Sequence, residues 1–462
     1  MNKLFWKWFF LIFVAVTGAF GQARGAIHDE EIYDNLPRRA TFASSTYEGL
    51  PSSFSLKQFA PLPGDQGNFG TCVGWAAAYA ARTISESIVL NRLNQTETTR
   101  NAFSPFYTYR SIRPEDPNGI MGASVFSALD FLRDTGAVRM LEIERLLSIP
   151  NVDLSLYKNS RNYPIGGYVA LFSINDRQKP ALVTRIVKKS LTEGKPVIIA
   201  MNTPDSFLDA RNVWRPRENP NYYYYGHAMV VVSYDDNRYG GAFEVMNSWG
   251  RKWGNGGFIW IPYDTFTAFV LEAYEMIENI ANYSDTIRFD GFVRMEHSGE
   301  TAELNLTPQG FYRTAETFSA GTQYRVMVGA RESAYVYTFS VTQPSNSSRI
   351  SSPTLLFPQS RVSPLLNYSD SMVILPGEDM TLTLDTQAGT KYIITLYSKQ
   401  ALDILTIMHR FETTQGSINK RLVEAIDDIT TDLLFSENEA DFSVTLDNLR
   451  TVAALIVAID YR

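Results

Sequence analysis

Apolar positions along the chain recur at two different spacings, and the change falls near Tyr163-Pro164. Upstream, a proline-free run over 72–93 carries Ala76, Ala77, Ala78, Ala80 and Ala81, which predicts a closely packed helix. The spacing of Val125, Ala128, Leu129 and Leu132 predicts a second helix over 123–134, with Gly136 as its stop. Between them lie a short apolar segment, 103–109, and a turn-rich loop, 110–122, with Pro114, Pro117, Gly119 and Gly122. Downstream the pattern predicts strands at 168–174, 197–201, 227–234, 242–246 and 257–261, and one helix over 181–193 ending at Gly194. A helical half followed by a strand-rich half predicts two subdomains facing each other across a cleft, over residues 50–281.

A second unit is expected over 285–462, with its own core. Strand patterns recur at 323–330, 335–342, 353–357, 380–384 and 391–397, separated by turn residues, which predicts a β-sandwich. One helix is expected over 417–435, and an apolar strand over 452–461 should lie centrally. At the other end, Lys3 and Lys7 precede an apolar run over 8–20 and small residues at Ala19 and Gly21. This is the pattern of a secretory signal cut after Gly21, too short for a comfortable membrane span. No cysteine follows it, which excludes a bacterial lipid anchor, so the expected location is secreted or periplasmic. Residues 22–49 are polar and mixed, a linker or a short pro-segment, and 50–63 read as an extended crossing with three prolines.

Composition narrows this picture. The 462 residues include one cysteine, so no intramolecular disulfide can form and stability must come from core burial. A net charge of −7 without a basic stripe argues against nucleic acid as a partner. No metal-ligand cluster is apparent, and no cofactor or metal is expected.

A lone cysteine is most often a small buried hydrophobe. Here Cys72 follows a glycine-rich turn, Gly64-Asp65-Gln66-Gly67-Asn68-Phe69-Gly70-Thr71, and should open a helix whose backbone N–H groups favour a thiolate. Gln66 could turn its amide toward the sulfur. Of four histidines, His227 is the imidazole that this region can offer, at the start of a strand. A cysteine nucleophile needs such a base, and the base needs an orienting group, for which Asn247 stands just after the next strand.

With Asp65-Gln66-Gly67, Gly70-Thr71-Cys72, Gly226-His227-Ala228 and Asn247-Ser248-Trp249-Gly250 in order, the sequence resembles the papain family of cysteine peptidases. Trp253-Gly254 and Gly256-Gly257-Phe258 extend the match, which covers roughly 50–275. The resemblance implies an α+β fold of a helical half and a β-barrel-like half, here followed by the sandwich-like unit. It implies Cys72 as nucleophile, His227 as general acid and base, Asn247 as its orienter, and Gln66 with the Cys72 N–H as oxyanion hole. Trp249 would shield the His227–Asn247 bond, and Gly226, Trp249 and Gly122 would line the substrate site. The implied partner is a peptide or protein substrate.

Departures accompany the match. Phe69 stands where the family usually has a cysteine, and Val73 replaces the usual tryptophan. The usual glycine pair is not intact, with Gly122 as stand-in, and the 28 residues after the signal are too few for the family's helical propeptide. Two other functions stay open: a catalytically silent peptide-binding protein, and an amidase or transpeptidase acting on cell-wall peptides. Tyr335-Val336-Tyr337, Leu356-Phe357-Pro358 and Leu375-Pro376-Gly377 weakly resemble a bacterial β-rich domain of unknown function. By that analogy the second unit binds a protein or envelope partner.

Overall fold

The computed structural model describes residues 22–147, 150–279, 287–368, 371–426, 433–436, 439–446 and 452–462. The signal read over 1–21 lies outside the described residues, and no helix among those described is long and apolar enough to cross a membrane.

The helix expected over 72–93 runs from Cys72 to Val89. Its middle, Trp75–Arg82, has the wider π-helical winding, and this stretch is buried throughout. Close packing explains the small residues: a Cβ at Gly74 would lie 2.2 Å from the Pro105 carbonyl oxygen, at the start of the helix Pro105–Ile112. Helix Val125–Asp134 buries Val125, Ala128, Leu129 and Leu132, the stripe that its spacing predicts.

Against these helices stands an antiparallel sheet ordered Gly167–Ala170, Val270–Ile277, Val197–Asn202, Gly226–Asp235, Ala242–Met246 and Phe258–Pro262. Ser53–Ser55 adds to the Gly226–Asp235 strand. The barrel-like half expected from the family resemblance is corrected here, because the end strands do not pair and the sheet is open. Each edge is satisfied by a non-strand segment instead. Trp214 N–H donates to the Trp260 carbonyl and Trp260 N–H to that of Asn212 on one side. On the other, Arg39 N–H donates to Ala170 and Ala170 N–H to Pro37.

The second unit holds two further sheets. One is ordered Leu304–Leu306, Tyr312–Thr314, Val452–Tyr461, Gly389–Ser398, Ala334–Pro344 and Thr354–Phe357, with the apolar Val452–Tyr461 strand inside it. The other is ordered Ser371–Leu375, Gln323–Ala330, Ile287–His297, Asp441–Leu446 and Leu434–Phe435. Alternation along the strands explains how the first sheet serves two cores. Val336, Ile393 and Val457 face Val293, Val326 and Val373 of the other sheet. Their neighbours Tyr337, Ile394 and Ile456 pack instead with Ile407, Phe411 and Leu422 of helices Ile404–Thr413 and Ile418–Ala425. The latter helix is shorter than the 417–435 expected, and 427–432 lie outside the described residues.

Residues 22–49, read as a linker or a short pro-segment, form an N-terminal strap with residues in the cores of both units. Ala26 and Tyr33 belong to the core of the first unit, while Ala40 and Phe42 belong to that of the second. Between the units Arg39, Ser190, Glu275, Asn367 and Tyr368 are all buried. Tyr368 donates to Glu275 Oε2 at 2.5 Å, Asn367 Nδ2 donates to Oε1, and Arg39 donates to the Tyr368 hydroxyl. Ser190 and Tyr368 share a further hydrogen bond of 2.8 Å. Each of these residues makes at least one buried hydrogen bond, while Arg39 Nε and Asn367 Oδ1 have no partner among the described residues.

Candidate active site

Cys72 begins its helix directly after Thr71, and its thiol is fully buried. The Gly226–Asp235 strand runs across the helix start, where Ala228 N–H points at Cys72 Sγ at 3.5 Å. That strand delivers His227, also fully buried, and the neighbouring strand Ala242–Met246 delivers Asn247 just past its end. His227 Nε2 and Asn247 Oδ1 are 2.7 Å apart, while His227 Nδ1 has no hydrogen-bond partner among the described residues. The Asn247 bond fixes the proton on Nε2, which leaves Nδ1 as the basic nitrogen. Trp249 stacks on the imidazole, with ring centroids 4.5 Å apart and planes inclined by 22°.

Gln66 is fully buried and its amide orientation is set by its neighbours. Oε1 accepts from Ser248 Oγ at 2.5 Å, which turns Nε2 the other way, to the Phe69 carbonyl at 2.6 Å and the Ala23 carbonyl at 3.0 Å. Trp249 Nε1 donates to the same Ala23 oxygen at 3.3 Å. Two donors from separate elements thus converge on one carbonyl of the strap.

The strap lies across the thiol. Ala26 N–H donates to the Gly226 carbonyl at 3.0 Å, Ile27 N–H to that of Ala123 at 2.9 Å, and Ala123 N–H to that of Gly25 at 2.9 Å. A Cβ at Gly25 would lie 2.2 Å from the Gly70 oxygen, and one at Gly226 would lie 2.0 Å from the Ala26 oxygen. Only glycine permits this depth at both positions. Arg24 clamps the outer side, bonding the Thr203 carbonyl at 2.8 Å and Asp205 at 2.9 Å, with its guanidinium 4.0 Å from the Tyr225 ring centre. His28 Nδ1 lies 2.5 Å from Glu272 Oε1.

This cover decides the electrostatics. Burial pushes the Cys72 thiol up to about 11, against the N–H groups of Ala228, Gly25, Val73 and Cys72 itself, which favour the thiolate. Burial pulls His227 down to about 4, offset in part by the Asn247 bond and reinforced by the charge of Arg24. The thiolate expected from the helix start is outweighed by desolvation, so the covered site holds a neutral thiol beside a neutral imidazole at pH 7.

Of the residues singled out in the sequence, Cys72, His227, Asn247, Gln66, Trp249 and Gly226 meet here. Gly122 takes a different part: its N–H donates to the Tyr109 hydroxyl, and a Cβ on it would lie 2.3 Å from the Gly25 oxygen. Its neighbour Ala123 makes the peptide hydrogen bonds. Sequence reasoning passed over Ala123, Ser248 and Glu272, and the first two stand directly beside residues that it did single out.

A family model described as "Papain family cysteine protease" matches residues 168–277, a span that holds His227, Asn247 and Trp249 but not Cys72 or Gln66. A curated "Cysteine protease" of Blomia tropicalis is 24% identical over 229 residues, 46% of this chain and 62% of that protein. The chain thus spans less than two thirds of that relative's length. Among solved structures, Xylellain, a cysteine protease from Xylella fastidiosa, is similar with 20% identity over 56% of this chain and 96% of that one, at a TM-score of 0.43. Digestive procathepsin L 3 of Tenebrio molitor larval midgut shows 18% identity over 53% and 77%, at a TM-score of 0.39.

Proposed function

We propose that this chain is an exported, papain-like cysteine peptidase, held latent by its own residues 22–28. In the open site His227 Nδ1 takes the Cys72 proton and the sulfur attacks a peptide carbonyl. Gln66 Nε2 and the Cys72 N–H hold the oxyanion, and the imidazolium returns the proton to the departing amine. Water, deprotonated by the same imidazole, then hydrolyses the thioester and frees the thiol. Asn247 keeps the ring aligned through Nε2, and Trp249 keeps water from that bond.

The observation that carries this reading is the division of the imidazole. Nε2 is committed to Asn247 at 2.7 Å and Nδ1 is uncommitted, one residue before the N–H that faces Cys72 Sγ. Export is inferred from the charged and apolar pattern of residues 3–21 alone.

The test is a mixed peptide library incubated with the chain carrying Gly25→Val, which displaces the strap, and with the same chain also carrying Cys72→Ser, read by mass spectrometry. New peptide termini that vanish with Cys72→Ser are the expected result. Termini that persist in Cys72→Ser would overturn the reading. Peptide binding without cleavage in a chain freed of its strap would favour the silent peptide-binding alternative. Transfer of an acyl group to an added amine in preference to water would favour the transpeptidase.

A further inference from the structure

We propose that the second unit binds a neutral oligosaccharide, in the cavity between the start of helix Ile418–Ala425 and the loops 307–311 and 345–350. The inference does not depend on the peptidase reading.

The cavity measures about 490 Å³, inside the range of about 300–1,000 Å³ that holds most small ligands. It lies at the end of the strand Ala334–Pro344, where Gln343 forms part of its wall. Near the start of that strand, the Tyr335 hydroxyl donates to the Gly166 carbonyl of the first unit at 3.3 Å. Eight positions of extended chain separate Tyr335 from Gln343, about 27 Å at about 3.4 Å each. The cavity therefore stands well away from that contact between the units.

Its walls are tied to one another without a ligand. Thr307 N–H and hydroxyl both donate to the Phe311 carbonyl, at 2.8 and 2.7 Å, which closes the first loop. Asn419 Nδ2 donates to the Gln309 carbonyl at 2.7 Å and fastens the helix to that loop. In the second loop Gln343 Nε2 donates to the Ser347 carbonyl at 3.2 Å.

None of the eleven residues lining the cavity is charged. Four are carboxamides, Gln309, Gln343, Gln415 and Asn419, and two are aromatic, Phe311 and Tyr392. The two rings meet edge-on, with centroids 6.2 Å apart. The bonds of Gln343 and Asn419 leave Oε1 and Oδ1 as acceptors, while Gln309 and Gln415 are exposed and offer both donors and acceptors. Arg313, beside the Phe311 ring, is paired with Asp460.

This set of groups selects among ligands. A charged ligand would lose water here without gaining a counter-ion, and a purely apolar one would strip water from the carboxamides without replacing it. A peptide adding as a strand needs a free edge, yet Ala334–Pro344 and Gly389–Ser398 both lie inside their sheet. A pyranose ring meets both demands. Each hydroxyl donates and accepts, as a carboxamide does, and the C–H face of the ring packs against an aromatic side chain.

The experiment titrates the full chain calorimetrically with cello-, xylo-, manno-, malto- and chito-oligosaccharides. An oligogalacturonide serves as the anionic probe and a Gly-Ser peptide as the peptide probe. At least one neutral oligosaccharide should bind, and more tightly than either probe. Gln343→Ala and Gln415→Ala should each weaken it by about 3- to 10-fold, the worth of one hydrogen bond. Phe311→Leu, which keeps apolar bulk and removes the ring, should weaken it by about the same factor. Gln415 is exposed, so an unmoved melting curve for its variant separates lost binding from lost fold. No binding of any neutral oligosaccharide at millimolar concentration overturns the proposal. Binding that is indifferent to all three substitutions places the sugar elsewhere and overturns it too. Tighter binding of the oligogalacturonide would hand recognition to a cation such as Arg349, and tighter binding of the peptide would make this a peptide site; either result overturns it.

Discussion

Residues 23–28 and residues 39–43 belong to one uninterrupted segment, yet they are held by opposite means. The first stretch is mostly half-exposed and held by backbone hydrogen bonds, close glycine contacts at Gly25 and Gly226, the His28–Glu272 hydrogen bond and one ion pair, Arg24–Asp205, whose acid is 79% exposed. The second buries Arg39, Ala40, Phe42 and Ala43 and ties into a polar network that is closed to water. Contacts of the first kind are weakened readily by competing peptide or solvent, and exposed ion pairs contribute little. Contacts of the second kind are lost only with the fold around them. The proposed latency needs only the first stretch to leave, and the joint between the units does not depend on it.

The largest way to break this contrast is Arg39→Ala. It leaves Glu275 buried without its nearby cation, and loss of one partner in such a network costs about 3–5 kcal/mol. Thermal unfolding of the full chain should shift down accordingly. A melting curve left in place, with a site that merely opens, would mean that the second stretch is no anchor. Gly25→Val acts on the other end, since its side chain cannot fit against the Gly70 oxygen. Uncovering Cys72 should bring its thiol from about 11 back toward the ordinary 9.0, which at pH 7 means about 100-fold more thiolate. Iodoacetamide labelling should quicken by about that factor, with its pH midpoint moved down and the melting temperature nearly constant. Unchanged labelling would show that the strap does not shield the sulfur.

In the Gly25→Val chain, Gln66→Ala should lower peptide turnover by about 100-fold if its amide holds the oxyanion as proposed, beyond its bonds to Phe69, Ala23 and Ser248. Alkylation forms no oxyanion and should hardly change. A parallel fall in both rates would assign Gln66 to holding the turn through the Phe69 carbonyl. The smallest effect is expected from Arg24→Ala alone. Removing one exposed ion pair and one cation near His227 should raise labelling a few-fold, measured at several salt concentrations. A rise as large as that of Gly25→Val would place the clamp at Arg24 rather than in the glycine contact.

Much of this site can be read from the sequence because its chemistry needs particular residue types at fixed places. His227 bonds Asn247, the N–H beside it faces Cys72, Gln66 bonds Ser248 next to Asn247, and the strand at 242–246 falls where the apolar run puts it. The strap cannot be read that way. Its bonds to the cleft are made by backbone, and its anchors, Arg39, Ala40 and Phe42, are single residues without a helical or strand period. The charge state of Cys72 is missed for the same reason, since the covering residues are far upstream in the chain. The closed barrel fails because edge satisfaction depends on loops such as 211–214, whose pairing with Trp260 has no local signal.

The joint at Arg39 also has a history in time. Its bond to Tyr368 spans 329 positions of sequence, so a chain emerging from its N-terminus meets that partner only after most of it has been made. Domains generally fold as they emerge, and the sheet that carries His227 is complete by Ile277, well before Tyr368 exists. A growing or truncated chain therefore passes through an interval in which Cys72, His227 and Asn247 are present while the strap is held at the cleft, at Tyr33 and at the sheet edge beside Ala170, without its contacts to the second unit. The later unit then adds Tyr368 and Asn367 to the joint around Arg39 and Glu275.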